Sequence, residues 1–291
     1  MNIIDNIKHT FRQGNSIIRL IYINAAVFLL LNSVQIVLLL FKIQGSFILP
    51  YLAIPADLKL LLYRAWTPLT YMFLHESFWH LLFNMLTLFW FGKIFLMYFS
   101  EKQLVGLYLI GGLLAALFYV VAFNLFPYYE PLIPVSLLLG ASGSIMAIIV
   151  ATAIQSPNME LQLLFFGGVK LKYIALAAVL MSFFGITSDN GGGQLAHLGG
   201  ALAGYFFIVS LRQGKDITGG LNRILDAIFD LFRPRKLKVK PNPNRKQSPM
   251  NDGEFNRNKA KKMTEIDRIL DKIKTSGYES LSAEEKKRLF E

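Results

Sequence analysis

Residues 135–155 read VSLLLGASGSIMAIIVATAIQ, an apolar run entered through Gly140-Ala141-Ser142-Gly143. A helix that begins at Ser142 and ends near Gln155 is roughly 20 Å long at 1.5 Å per residue, against a membrane hydrocarbon core of about 30 Å. If this run lies in a membrane, its start is below the surface. Non-helical backbone at that depth is tolerated only where protein buries it or water reaches it, so a wet cavity is expected above Ser142. The flanking glycines permit a tight turn and a close backbone approach. Taken alone, Gly-Ala-Ser-Gly reads better as a motif that lets helices touch.

Five more apolar stretches surround this one, near 19–41, 78–99, 102–126, 171–187 and 194–211, while the run itself covers 142–155. A spanning helix needs roughly 20 such residues. Composition agrees: the 291 residues are 54% hydrophobic and 17% charged, where soluble domains carry about a quarter charged residues. The chain therefore reads as an all-α polytopic membrane protein, a bundle of six transmembrane helices over 19–211 whose short central fourth helix carries a serine. With no cysteine, disulfides and thiolate sites are excluded. Residues 1–18 read as an amphipathic lead-in and not as a signal peptide, because Asp5, Lys8, His9 and Arg12 interrupt the apolar residues and no small-residue cleavage site follows.

Charge sets an expected orientation. Of the 30 Lys and Arg, 20 lie at or after Arg212, beyond the last apolar stretch. With Lys8, Arg12, Arg19, Lys170 and Lys172 they place both termini in the cytoplasm and make the even-numbered helices run inward. The excess is a tail and carries no nucleic-acid signature. Residues 212–262 read as a basic cytoplasmic segment and linker, with Leu221 to Phe232 an amphipathic helix near an anionic inner leaflet. Residues 263–291 read as a small helix pair, with Gly277 as a stop and Ser282 with Glu285 as a capping box.

Polar residues inside apolar helices are costly and so are candidates for function. They fall into three groups: His75, His80 and Asn84 at the start of the second helix; Ser142 at the start of the fourth; His197 near the start of the sixth. All three groups sit at N-terminal ends of even-numbered helices, which the topology puts at one depth. A neutral imidazole within reach of a serine hydroxyl can take its proton during attack and return it to a leaving amine. Gly200 and Gly204 share the face of His197, and Gly143, Ala147 and Ala151 form a matching small-residue stripe, so the two helices can approach closely. His80 and Asn84, four apart on one face, can stabilise an oxyanion together with the Ser142 N–H at a positive helix end, or can be polar glue between helices. Asp189 is the acid nearest His197 in sequence and is a weaker candidate to orient it, since the surrounding Gly-rich loop reads as mobile and solvated.

His80-x-x-x-Asn84, Gly140-x-Ser142-Gly143 and Ala196-His197-x-x-Gly200-x-x-x-Gly204 stand in the order and on the helices of the bacterial six-helix rhomboid proteases, which the chain resembles from roughly Trp66 to Ser210. The resemblance implies a serine endopeptidase that cuts peptide bonds in or next to transmembrane segments. It implies a Ser142/His197 dyad with no acidic third member, His80 and Asn84 lining the oxyanion site, and no metal or organic cofactor. It further implies that the fifth helix, with Met181, Phe183 and Phe184, and the loop Thr187 to Gly193 form a gate and cap for a substrate helix. The partners it implies are transmembrane protein substrates and the lipid bilayer. The C-terminal helix pair is similar to a tail appended to rhomboids of the Bacteroidetes group. Two departures stand out. The family's Trp-Arg pair in the first outer loop appears as Trp66-Thr67 with Arg64 displaced, which puts the anchoring of that loop in doubt; and Met146 replaces a tyrosine that packs under the histidine in a relative.

Two other readings compete. A rhomboid-like protein that binds transmembrane segments without cutting them typically lacks the serine or the histidine, and both are present here. A transporter would be expected to carry duplicated halves and intramembrane charges.

Overall fold

A computed structural model of the chain describes residues 11, 14–43, 48–163, 167–232 and 252–289. Most of the expected lead-in (1–10, 12–13) and part of the expected basic segment and linker (233–251) lie outside the described residues. Contacts divide the chain into two compact units, Met1–Arg233 and Pro234–Glu291.

The first unit holds six apolar helices: α1 Ser16–Leu40, α2 Phe78–Phe95, α3 Glu101–Leu125, α4 Ser142–Gln155, α5 Leu171–Phe184 and α6 Gly191–Arg212. The chain is thus an all-α membrane bundle with a short fourth helix. Four are long and apolar enough to cross a membrane, and α4 and α5 have 14 residues each. Side-chain caps start several of them: Asn15 accepts from the Ile18 N–H, Ser77 from that of His80, and Ser100 with Gln103 forms a capping box at α3.

The middle of the unit is the packing of α3, α4 and α6, and small residues make it possible. A Cβ on Gly111 of α3 would lie 2.6 Å from the Ala147 Cβ of α4, and one on Gly199 of α6 would lie 2.7 Å from the Leu114 carbonyl of α3. Between α4 and α6 the backbones themselves touch, since a Cβ on Gly200 would run into the Gly143 carbonyl and one on Gly204 into that of Ala147. Close backbone approach is what holds helices together where lipid removes the hydrophobic drive. α1 joins only through its first turns, with Ser16, Ile17, Leu20 and Asn24 buried; the Asn24 amide donates to the Leu20 carbonyl and to the Tyr108 hydroxyl of α3.

Between α1 and α2 the chain forms short helical turns (Leu49–Leu52, Leu58–Tyr63, Thr67–Thr70) and a strand β1, Ile54–Pro55. This β1 pairs antiparallel with β2, Leu137–Leu138, just ahead of α4. Arg64 donates to the Pro50 carbonyl and stacks over the Tyr51 ring, while the Trp66 indole N–H donates to the Tyr51 carbonyl. Arg64 and Trp66 thus tie the loop to its own 50–51 turn, in place of the family's adjacent Trp-Arg pair.

The second and fifth helices end at Phe95 and Phe184, short of the expected 99 and 187, and further segments also differ from the sequence reading. Gly191 to Gly193, read as loop, form the first turn of α6. A Cβ on Gly192 would lie 2.9 Å from the Tyr119 ring of α3, so glycine serves close approach here and not only chain reversal. The polar separator after α4 folds as a hairpin of β3, Glu160–Leu163, and β4, Gly167–Lys170, with Glu160 opposite Lys170. After α6, α7 (Thr218–Phe232) packs on α3, Thr218 lying against Gly106 and Asp226 pairing with Lys102 at 2.6 Å.

The second unit contains α8, Asp252–Ser276, and α9, Ala283–Leu289. α8 starts within the stretch read as linker, where Glu254, Lys259, Ala260, Lys261 and Lys262 are good helix formers. Gly277 ends it at φ 76°, Ile269 and Leu281 are buried, and Ser282 and Glu285 bond reciprocally as a capping box beside the Lys272–Glu285 ion pair.

Candidate active site

The N-terminal ends of α2, α4 and α6 open onto one cavity of about 880 Å³, lined among others by His80, Asn84, Ser142, Met146 and His197. Each residue is placed by a local feature of the sequence. Gly140 has φ 125°, a conformation that side chains rarely adopt, and its N–H donates to the Tyr71 carbonyl at 2.9 Å. The Tyr71 hydroxyl in turn donates to the Gly112 carbonyl of α3, so the segment entering α4 is fixed from below. A Cβ on Gly140 would lie 3.1 Å from His80 Cε1 and Nε2 and 3.8 Å from Ser142 Oγ, which puts the imidazole edge and the hydroxyl over the same glycine. His75, buried, sets its ring edge-on to that of His80 at 5.1 Å.

Ser142 is the first residue of α4, so its N–H has no partner within the helix and points with the helix dipole. The Gly143–Gly200 contact brings the turn of α6 that bears His197 beside it. The hydrogen bond that the His197 ring makes among the described residues is to neither Ser142 nor an acid: its Nδ1 lies 3.2 Å from Ser182 Oγ on α5. Bonds between a nucleophile and its base commonly tighten only once substrate is bound. Asp189 lines the cavity and is exposed. The ring nitrogen that an acidic third member would hold faces Ser182, so Asp189 does not orient His197 in this structure.

Ser182 is the residue that sequence reasoning misses. It is 2% exposed and, with Leu171 and Ala175, is one of three buried residues of α5. Its signal is the one applied to the other helices, a small polar residue inside an apolar span. Met146 is buried against the cavity. Met181, Phe183 and Phe184 point away from it, 73%, 54% and 75% exposed, and none of them lines it. The loop between α5 and α6, read as mobile, is tied to the segment after α3: Tyr129 and Tyr128 donate their hydroxyls to the Ile186 and Thr187 carbonyls.

Comparison with known families agrees with this geometry. Residues 63–214, just over half of the chain, match the Rhomboid domain, and residues 251–291 match a family of unknown function (DUF6576). No curated protein matches the chain. Apolar helices that meet at small residues, a cavity at the starts of three of them and the match across that whole region together make this chain a multi-pass membrane protein of the rhomboid family.

Proposed function

We propose that the protein is an intramembrane serine endopeptidase that hydrolyses peptide bonds in or next to transmembrane segments of other membrane proteins. The observation that carries this reading is that Ser142, His197, His80 and Asn84, drawn from three helices, line one cavity. Rhomboid-family proteins are in general serine proteases of this kind, which supports it.

Ser142 Oγ attacks the scissile carbonyl while His197 Nε2 takes its proton. The resulting oxyanion is held by the Ser142 N–H at the start of α4, by the Asn84 amide and by the His80 ring. His197 then protonates the leaving amine, the acyl-enzyme remains on Ser142, and water in the cavity resolves it by the same base. A substrate helix must unwind to present its carbonyl, which favours segments with small or helix-breaking residues. In this reading both termini are cytoplasmic, Met181, Phe183 and Phe184 face the lipid where a substrate approaches, and α7 lies at the inner leaflet with exposed Ile224 and Ile228 toward the membrane and Arg223 toward anionic headgroups.

The test is covalent labelling by a fluorophosphonate in detergent. The parent should label, and Ser142→Ala and His197→Ala should not. Equal labelling of all three would reject the dyad.

A further inference from the structure

α5 is apolar, 14 residues long, and buries three of them. Two, Leu171 and Ala175, are hydrocarbon. The third is Ser182, whose hydroxyl sits 3.2 Å from His197 Nδ1. A buried hydroxyl is expensive in a membrane unless it is bonded, and here its partner is the side chain on α6 that acts as base in the reading above.

The two ring nitrogens of His197 cannot both serve as acceptors in the neutral imidazole: one carries hydrogen and the other a lone pair. Attack by Ser142 requires the lone pair on Nε2, and hence hydrogen on Nδ1. The Ser182 hydroxyl can accept from Nδ1–H or donate to a bare Nδ1; the first arrangement is the one that attack by Ser142 needs, and it keeps a partner for the N–H when the ring becomes imidazolium. We propose that Ser182 is a positioning residue that accepts from His197 Nδ1–H, holds the ring in its base-competent tautomer and rotamer, and makes that state depend on α5 being seated against α6. The dependence follows from placement. The hydroxyl belongs to the helix with the fewest buried residues among α2 to α6, so a displacement of α5 that carries Ser182 away releases the ring.

This rests on His197 being the base, and the experiment separates the two claims. Ser182→Thr keeps the hydroxyl and Ser182→Val replaces it with a methyl at equal volume, so packing is matched and only the hydrogen bond differs. The full chain, purified in detergent with 15N-labelled histidine, gives the ring nitrogen shifts of His197, assigned by the signal missing in His197→Gln. The parent and Ser182→Thr should show Nδ1–H; Ser182→Val should show a tautomer mixture. Cleavage of a transmembrane peptide should fall about ten-fold in kcat for Ser182→Val with KM unchanged, the loss of one hydrogen bond, and return in Ser182→Thr. Identical tautomers in parent and Ser182→Val, or a kcat for Ser182→Val equal to the parent's, overturn the proposal. The tautomer readout is independent of turnover. A parent that shows Nδ1–H and cleaves nothing overturns the protease reading and leaves the positioning contact in place.

Discussion

α4 and α5 are the same length, 14 residues, and nearly the same in polarity, yet 11 residues of α4 are buried and only three of α5. α4 is enclosed by α2, α3, α5 and α6 and touches α6 backbone to backbone; α5 rests on α4 and α6 along one narrow stripe and turns Met181 and Phe184 outward. The difference separates two tasks that the cavity needs. In the proposed reading the nucleophile Ser142 must be held in place, and it sits on the helix with no freedom to shift, with the oxyanion donors His80 and Asn84 on α2 packed against it. A wall that admits substrate must yield, and α5, the gate in that reading, is the helix with the fewest buried residues among α2 to α6.

The largest effect expected from this contrast is on stability at the α4–α6 seam. Gly200→Leu forces a side chain into the Gly143 carbonyl and should cost about 3 kcal/mol or more, read as a lowered midpoint of thermal unfolding in detergent. Ala177→Leu, on an exposed position of α5, adds the same side chain and should change the midpoint little. Equal losses in the two variants would erase the distinction. Next comes chemistry on the fixed side. Asn84→Ala should lower kcat about a hundred-fold, the magnitude associated with one oxyanion donor, while leaving fluorophosphonate-independent folding measures near the parent's. Smaller again is the first loop. Trp66→Phe removes the bond to the Tyr51 carbonyl and should cost about 1 kcal/mol, visible as faster proteolytic nicking between residues 48 and 73.

Much of the fixed side was legible in the sequence, because its cues are local. A glycine before a serine, a run too short to span and small residues four apart each need only neighbouring positions to be read. The yielding side was harder. In a membrane the face of a helix that meets lipid and the face that meets protein are both apolar, so α5 has no polarity stripe to show which way it points. Beyond Lys172 and Tyr173 in its first turn only Ser182 breaks the pattern, and its partner lies on another helix. The loop anchors were unreadable for a related reason. Tyr71, Tyr108 and Asn124 bond backbone carbonyls at Gly112, Met72 and Ala56, 36 to 68 residues away in sequence, and a carbonyl carries no residue identity. The three glycines at 191–193 misled because glycine signals a turn and a close approach alike, and only the Tyr119 ring decides between them.

The smallest stability effect expected is the most telling about α5. Phe184 is 75% exposed and its ring meets that of Phe183 edge-on at 5.5 Å, so Phe184→Ala removes a large side chain that supports little within the protein. The unfolding midpoint should move by no more than about 0.5 kcal/mol equivalent. If α5 yields to admit substrate, trimming its outward bulk should raise cleavage of a transmembrane peptide a few-fold while leaving the labelling rate of a small fluorophosphonate unchanged, because the small reagent does not need the wall to move. A gain in both rates would locate the effect at Ser142 and His197, and a loss in both would make α5 part of the fixed scaffold after all. Only the split result, faster on the helix and unchanged on the small reagent, assigns to α5 the role that its sparse burial suggests.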